Sequence, residues 1–208
     1  KVGIHTMSPL LFNAHVEDDF KMITDQVAGL LKDNKFPVML GGEHSISFPI
    51  VRAFLNHFGK ISVLQLDAHA DLRDQYENTR WSHACVMRRI YELTDTVEQV
   101  GIRSLSIEEA DYARATKRRI SYAHTLHKEG FADAIIDRLT DPLFITVDLD
   151  YFDPALIPAT GTPEPGGLFW PETMEFLKKV FERRNVVGFD VVELSPITGM
   201  VYPDFTAA

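Results

Sequence analysis

The chain has 208 residues, 45% hydrophobic and 25% charged, an ordinary globular balance that suits one domain with a substantial core. A formal net charge of −9, with no basic run longer than three residues, argues against a nucleic-acid partner. Cys85 is the one cysteine, which excludes an internal disulfide and fits a reducing, cytoplasmic setting, and no apolar stretch approaches the ~18 residues that span a bilayer, so no membrane partner is expected.

In chain order, "DDFKMITDQVAGLLKDN" places Phe20, Ile23, Val27, Leu30 and Leu31 at helical spacing. "FPVML" reads as a short buried strand that ends at Gly41-Gly42. "SISFPIVRAFLNHFG" is a second helix, with Ser45 or Ser47 as its cap and Gly59 as its stop. "ISVLQLD" is a strand, "SHACVMRRIYEL" a helix and "VEQVGI" a strand. "IEEADYARATK" and "FADAIIDRLT" are helices, and "PLFITVDLD" is a strongly apolar strand. "WPETMEFLKKVFERRN" is an amphipathic helix with Pro171 in its first turn, and "VVGFDVVELSP" closes as a strand. Strands that are apolar on both faces and separated by helices imply a mainly parallel sheet covered on both sides. The expected fold is a single α/β domain, a three-layer αβα sandwich.

Such sheets bind ligands beyond the carboxyl ends of their strands. Four strand ends carry chemistry there: His44 in "GGEHS", Asp67, His69 and Asp71 in "DAHAD", Asp148 and Asp150 in "DLD", and Glu193 in "ELSP". In an extended strand, residues two apart share a face, so Asp67, His69 and Asp71 can point into one pocket, as can Asp148 with Asp150. Four adjacent carboxylates repel one another unless cations sit between them. Four Asp and two His could hold two divalent ions. The oxygen-rich set favours a hard ion such as Mn²⁺, and two such ions would activate water at neutral pH and polarise an electrophile. Any one "DxH" or "DxD" alone is more often a cap or a solvated turn; it is the combination that points to metal.

With these segments in view, the sequence resembles the ureohydrolase family of arginases and agmatinases. The resemblance rests on "GGEHS", "DAHADLRD", "SHACVMRR", "DLDYFDPALIPATGTPEPGGL" and "VVELSP", in that order across nearly the whole chain. It implies two Mn²⁺ per subunit and hydrolysis of a guanidinium group to urea and an amine. It also implies a trimer or hexamer, and a longer protein whose first tens of residues and final helix this chain is expected to lack.

Carried over, the resemblance makes Asp67 and Asp148 the bridging carboxylates. His44 and Asp71 would bind one ion, and His69 and Asp150 the other. Asp71 would also accept a hydrogen bond from the attacking water, and Glu193 would hold the guanidinium. His83 stands where the family has a histidine proposed to shuttle protons; by spacing alone it is equally a helix-start histidine beside a Ser82 cap. Glu164 could meet a distal amine, or simply be a solvated loop residue.

"LRDQYENTRWSHA" lacks the arginase pattern that recognises an α-amino acid, and "TGTPEPGG" looks like the agmatinase branch. A small cationic guanidine is therefore expected, agmatine or its aminopropylated form ahead of arginine or a guanidino acid. The alternatives are another ureohydrolase, a deacetylase-like metal hydrolase on the same fold, or a non-catalytic homologue. The full set of six ligands weighs against the last two.

Overall fold

A computed structural model describes residues 3–13 and 15–207 of the chain. At its centre is a six-stranded sheet in which every pairing is parallel. Helices pack on both faces, as an αβα sandwich requires.

Helix α1 (Val16–Lys32) carries Glu17, Asp18 and Asp19 in its first turn and Lys32 in its last, signs that suit the helix dipole. It buries Phe20, Ile23, Val27 and Leu31. Contrary to the expected burial, β1 (Val38–Leu40) is an edge strand paired with β6 alone, and Val38 and Leu40 are exposed. It leads through Gly41 and Gly42 into a 3₁₀ turn, His44–Ile46, and then α2 (Ser47–Phe58), which stops at Gly59 with φ 74°. Neither Ser45 nor Ser47 caps this helix. The 3₁₀ turn precedes it, and its cap is Glu43, whose side chain accepts from the Ser45 amide.

Strand β2 (Ser62–Leu66) is buried throughout. A 3₁₀ turn, His83–Cys85, capped by Ser82 as expected, then runs into α3 (Val86–Ile90). Strand β3 (Val97–Ile102) is followed by α4 (Ile107–Ala115), which opens on a Ser106–Glu109 capping box.

Strand β4 (Ile120–Tyr122) and helix α5 (Ala123–Glu129) were not anticipated. Three half-buried edge residues cannot display a period of two, and α5 starts with no intervening loop. Next come α6 (Asp133–Arg138), β5 (Leu143–Asp148), a 3₁₀ turn over Leu149–Tyr151, α7 (Trp170–Arg183) and β6 (Val186–Val192). A closing helix α8 (Val201–Ala207) is also new relative to the sequence reading.

The strand order is β1-β6-β5-β2-β3-β4. From β2 the chain moves outward through β3 to β4, then returns to β5 on the other side of β2. The β2/β5 boundary is thus a topological switch point, where such sheets open a crevice. One core packs α1, α2 and α3 on one face around Val63 and Phe144. The other packs α5, α6 and α7 on the opposite face around Leu64, Leu66 and Ile145. Gly101 closes β3 beneath the crevice at φ 93°; a Cβ there would lie 2.5 Å from the Tyr151 ring and 3.1 Å from the Asp67 carbonyl.

Candidate metal centre

Strands β2 and β5 pair with Leu66 opposite Val147, so Asp67 and Asp148 leave the sheet side by side. The convergence expected from a period of two is present, but its local cause differs. Strand β2 ends at Leu66, and Asp150 sits in the 3₁₀ turn after β5. Each aspartate bends its own backbone instead. Asp67 Oδ1 accepts from the His69 amide at 2.6 Å, and Asp148 Oδ1 accepts from the Asp150 amide at 2.9 Å. These local bonds compete with the sheet ladder and end it. Asp71 then turns inward through a positive φ of 53°.

His44 is buried on the 3₁₀ turn after β1. Its Nε2 lies 2.9 Å from the Thr146 hydroxyl. Ser47 donates to Asp190 at 2.7 Å, which leaves Ser47 to accept from Thr146 at 3.3 Å and Thr146 to accept from His44. Burial disfavours a charged His44, but Asp148, Asp67 and Asp71 outweigh it and raise the imidazole well above its ordinary range; they stand 3.3, 3.1 and 3.2 Å from Nδ1. Nδ1 has no hydrogen-bond partner among the described residues.

His69 directs Nδ1 to Asp150 at 2.9 Å, with Asp67 at 3.7 Å. Asp150 also accepts from the Ala68 amide and from the Thr162 hydroxyl, both at 3.1 Å. Two three-residue groups can therefore each surround an ion, His44 with Asp67 and Asp148, and Asp67 with His69 and Asp150. Asp67 belongs to both.

The charges frustrate one another without cations. Burial and then the neighbouring Asp148, Asp71 and Asp150 push the Asp67 carboxyl well above its ordinary range. Burial also raises Asp148. Burial disfavours a charged His69, but Asp150, Asp67 and Asp71 outweigh it and raise the imidazole to about 10. An unpartnered buried nitrogen facing three carboxylates, in a set of four Asp and two His, fits two hard divalent ions.

Above these candidate ligands lies a cleft of about 540 Å³. Glu193 reaches it from the end of β6 with φ 66°, a left-handed conformation rare for a side chain of this size. Its amide donates to the Gly42 carbonyl at 3.0 Å, and its Oε1 accepts from the His44 amide at 2.7 Å. Burial pushes its carboxyl up. Glu43, His83 and Glu193 form a further acidic group at the rim. His83 Nδ1 stands 3.7 Å from Glu43. Glu164 is not among the cleft-lining residues; its carboxylate stands 3.7 Å from His69 Nε2.

Several supporting residues escaped the sequence reading. Gln99 donates to Gln65 at 2.6 Å, and Gln65 donates to Asp67 at 2.6 Å, all buried. Two glutamines inside apolar strands were the available signal, since buried amides need partners. Glu109, on α4, accepts from the Leu72 amide at 2.9 Å and so fixes the segment after Asp71.

The chain matches the family model for the Arginase family over residues 1–201. It is 38% identical over 215 residues to an N(1)-aminopropylagmatine ureohydrolase of Synechocystis, covering 100% of this chain and 70% of that protein. It is 37% identical over 182 residues to an agmatinase of Pyrococcus horikoshii, covering 86% and 62%. The solved agmatine ureohydrolase of Thermoplasma volcanium superposes with a TM-score of 0.82 at 35% identity, covering 94% of this chain and 66% of that one. Together, the match to the family model and these relatives establish that the chain belongs to the arginase family.

Proposed function

We propose that the protein is a binuclear manganese hydrolase that cleaves the guanidinium group of agmatine or its aminopropylated form to urea and an amine. The observation that carries this reading is the sharing of Asp67 between two ligand groups beneath an acidic cleft. The names of the relatives support the chemical class.

In this reading His44, Asp67, Asp71 and Asp148 would hold one ion, and His69, Asp67, Asp148 and Asp150 would hold the other. Bound there, the ions would supply Lewis acidity and make water nucleophilic at neutral pH. Asp71 orients that water by accepting its hydrogen bond. Glu193 grips the guanidinium, with its own position fixed by the His44 amide. His83, half-exposed at the rim, gives a proton to the departing amine nitrogen as the C–N bond breaks. Glu164 lies near the mouth, where the loop approaches His69, and would attract the far ammonium of the substrate.

Arg73 is the cation that could alter this preference. It lines the cleft, but its Nε lies 3.9 Å from Glu109 and its guanidinium sits over the Tyr76 ring at 5.4 Å. Arg80 is engaged with Glu92 at 2.8 and 3.0 Å. An α-carboxylate entering this cleft would meet mostly negative charge, which favours agmatine over arginine. No helix among the described residues is long and apolar enough to cross a membrane. The reading extends to a cytoplasmic homo-oligomer of three or six chains, on the strength of the family resemblance.

The test is urea release from agmatine, aminopropylagmatine, arginine and guanidinobutyrate, with and without added Mn²⁺. Urea from the first two, dependent on Mn²⁺, is expected. Release of acetate from acetylated amines without any urea would show a different hydrolase on the same fold.

A further inference from the structure

Arg103 follows β3 directly, and every hydrogen bond its guanidinium makes goes to a backbone carbonyl. Nη2 donates to Asp150 O at 2.6 Å and to Glu164 O at 2.8 Å. Nη1 donates to Gly101 O and Tyr151 O, both at 3.2 Å, and Nε donates to Pro165 O at 3.2 Å. The Arg103 amide itself donates to Ala68 O at 2.8 Å. Arg103 therefore ties together the turn carrying Asp150, the segment carrying Asp67 and His69, and the loop after Thr160.

Loop carbonyls at a site mouth would otherwise face water, and their segment would move. Past Pro165 the loop has its own anchor, since Asp153 accepts from the amides of Gly166 at 2.9 Å and Gly167 at 3.0 Å. Gly161 to Pro165 has fewer holds, with Thr162 on Asp150 at 3.1 Å and Arg103 on the two residues after Pro163. Gly161 and Thr162 line the cleft.

We propose that Arg103 is a positioning residue that locks the Gly161–Pro165 loop onto the Asp150 turn and thereby sets how the far end of the substrate is held. The part concerning substrate rests on the hydrolase reading above; the mechanical part does not. Only a planar fork of five N–H groups can reach these carbonyls at once. A lysine keeps the charge but presents its donors from one point. The ion cradle keeps its own bonds, because Asp150 is also held by the Ala68 amide.

The test compares the full-length protein with R103K and R103A, by hydrogen–deuterium exchange and by steady-state kinetics on agmatine. In both variants, exchange at the Gly161, Thr162 and Glu164 amides should accelerate about tenfold or more, while Gly166 and Gly167, held by Asp153, and β2 and β5 stay within about twofold. KM should rise about tenfold or more while kcat falls less than about threefold. Lysine should not rescue. The proposal is overturned if R103K matches the wild type in exchange and KM, if exchange accelerates evenly along the chain, or if kcat falls at constant KM. If no guanidine is hydrolysed by the wild type, the hydrolase reading fails, and the exchange comparison alone decides for or against the clamp.

Discussion

His44 and Thr146 lie 2.9 Å apart, ring nitrogen to hydroxyl, and that contact determines which nitrogen of His44 faces the carboxylates. Thr146→Val removes the acceptor with little change in shape. Metal affinity should fall roughly 10- to 100-fold, the usual cost of losing a partner behind a metal-binding histidine. Titration calorimetry with Mn²⁺ gives the answer; unchanged affinity would mean the tautomer is set some other way.

In the proposed two-ion site, Asp148→Asn keeps the volume and removes a charge that would lie beside both ions. Turnover should drop by about 10³-fold, equivalent to about 4 kcal/mol of barrier, with the far-ultraviolet circular dichroism of the fold preserved. A bound-metal ratio still near two, with a rate within about tenfold of the wild type, would rule out the bridging role.

Agmatine should be preferred over arginine by about 10³-fold in kcat/KM, because an unpaired carboxylate in this cleft costs several kcal/mol. Arg73→Ala should leave that ratio within about threefold, since Arg73 is already engaged by Glu109 and Tyr76. A collapse of arginine turnover in this variant would instead reveal Arg73 as the partner of the carboxylate.

Cys85 is buried, and burial pushes its thiol up to about 11. A group whose folded pKa lies above its unfolded value favours the folded state fully below the unfolded pKa. That contribution should be intact below pH about 9 and lost as pH rises toward 11. Chemical denaturation from pH 8 to 11 should therefore show a steeper stability loss in the wild type than in Cys85→Ala. Parallel curves would show that the thiol titrates alike in both states. The folded thiol should also resist alkylation at pH 8.

The amino-acid pattern revealed the parts of this molecule that repeat or cluster locally. The five longer or more apolar strands, the order of helices and the acidic strand ends are all short-range signals. Strand β4 was missed because three half-buried residues carry none. The rest is long-range. Gln99 reaches Gln65 across neighbouring strands, Glu98 on β3 is buried between Arg119 and Arg138, and Arg103 meets carbonyls some sixty residues away. None of these partners can be paired by spacing. Even the candidate ligand motifs converge through turns that each aspartate makes with its own backbone, and not through alternation along a strand.

The register between β2 and β5 has one more consequence. Asp67 and Asp148 stand on a rigid ladder of main-chain bonds, whereas Thr162, Glu164 and Tyr76 stand on loops. Shifting that ladder by one residue would send a carboxylate to the wrong face, so the proposed ion cradle would tolerate little drift. The loops are held instead by a few side-chain bonds, Thr162 on Asp150 and Arg103 on the Glu164 carbonyl. In the proposed reading, reaction and substrate range are thereby mounted on parts joined only by side chains. New guanidine specificities can be sampled by rewriting the mouth while the chemistry beneath it is inherited intact.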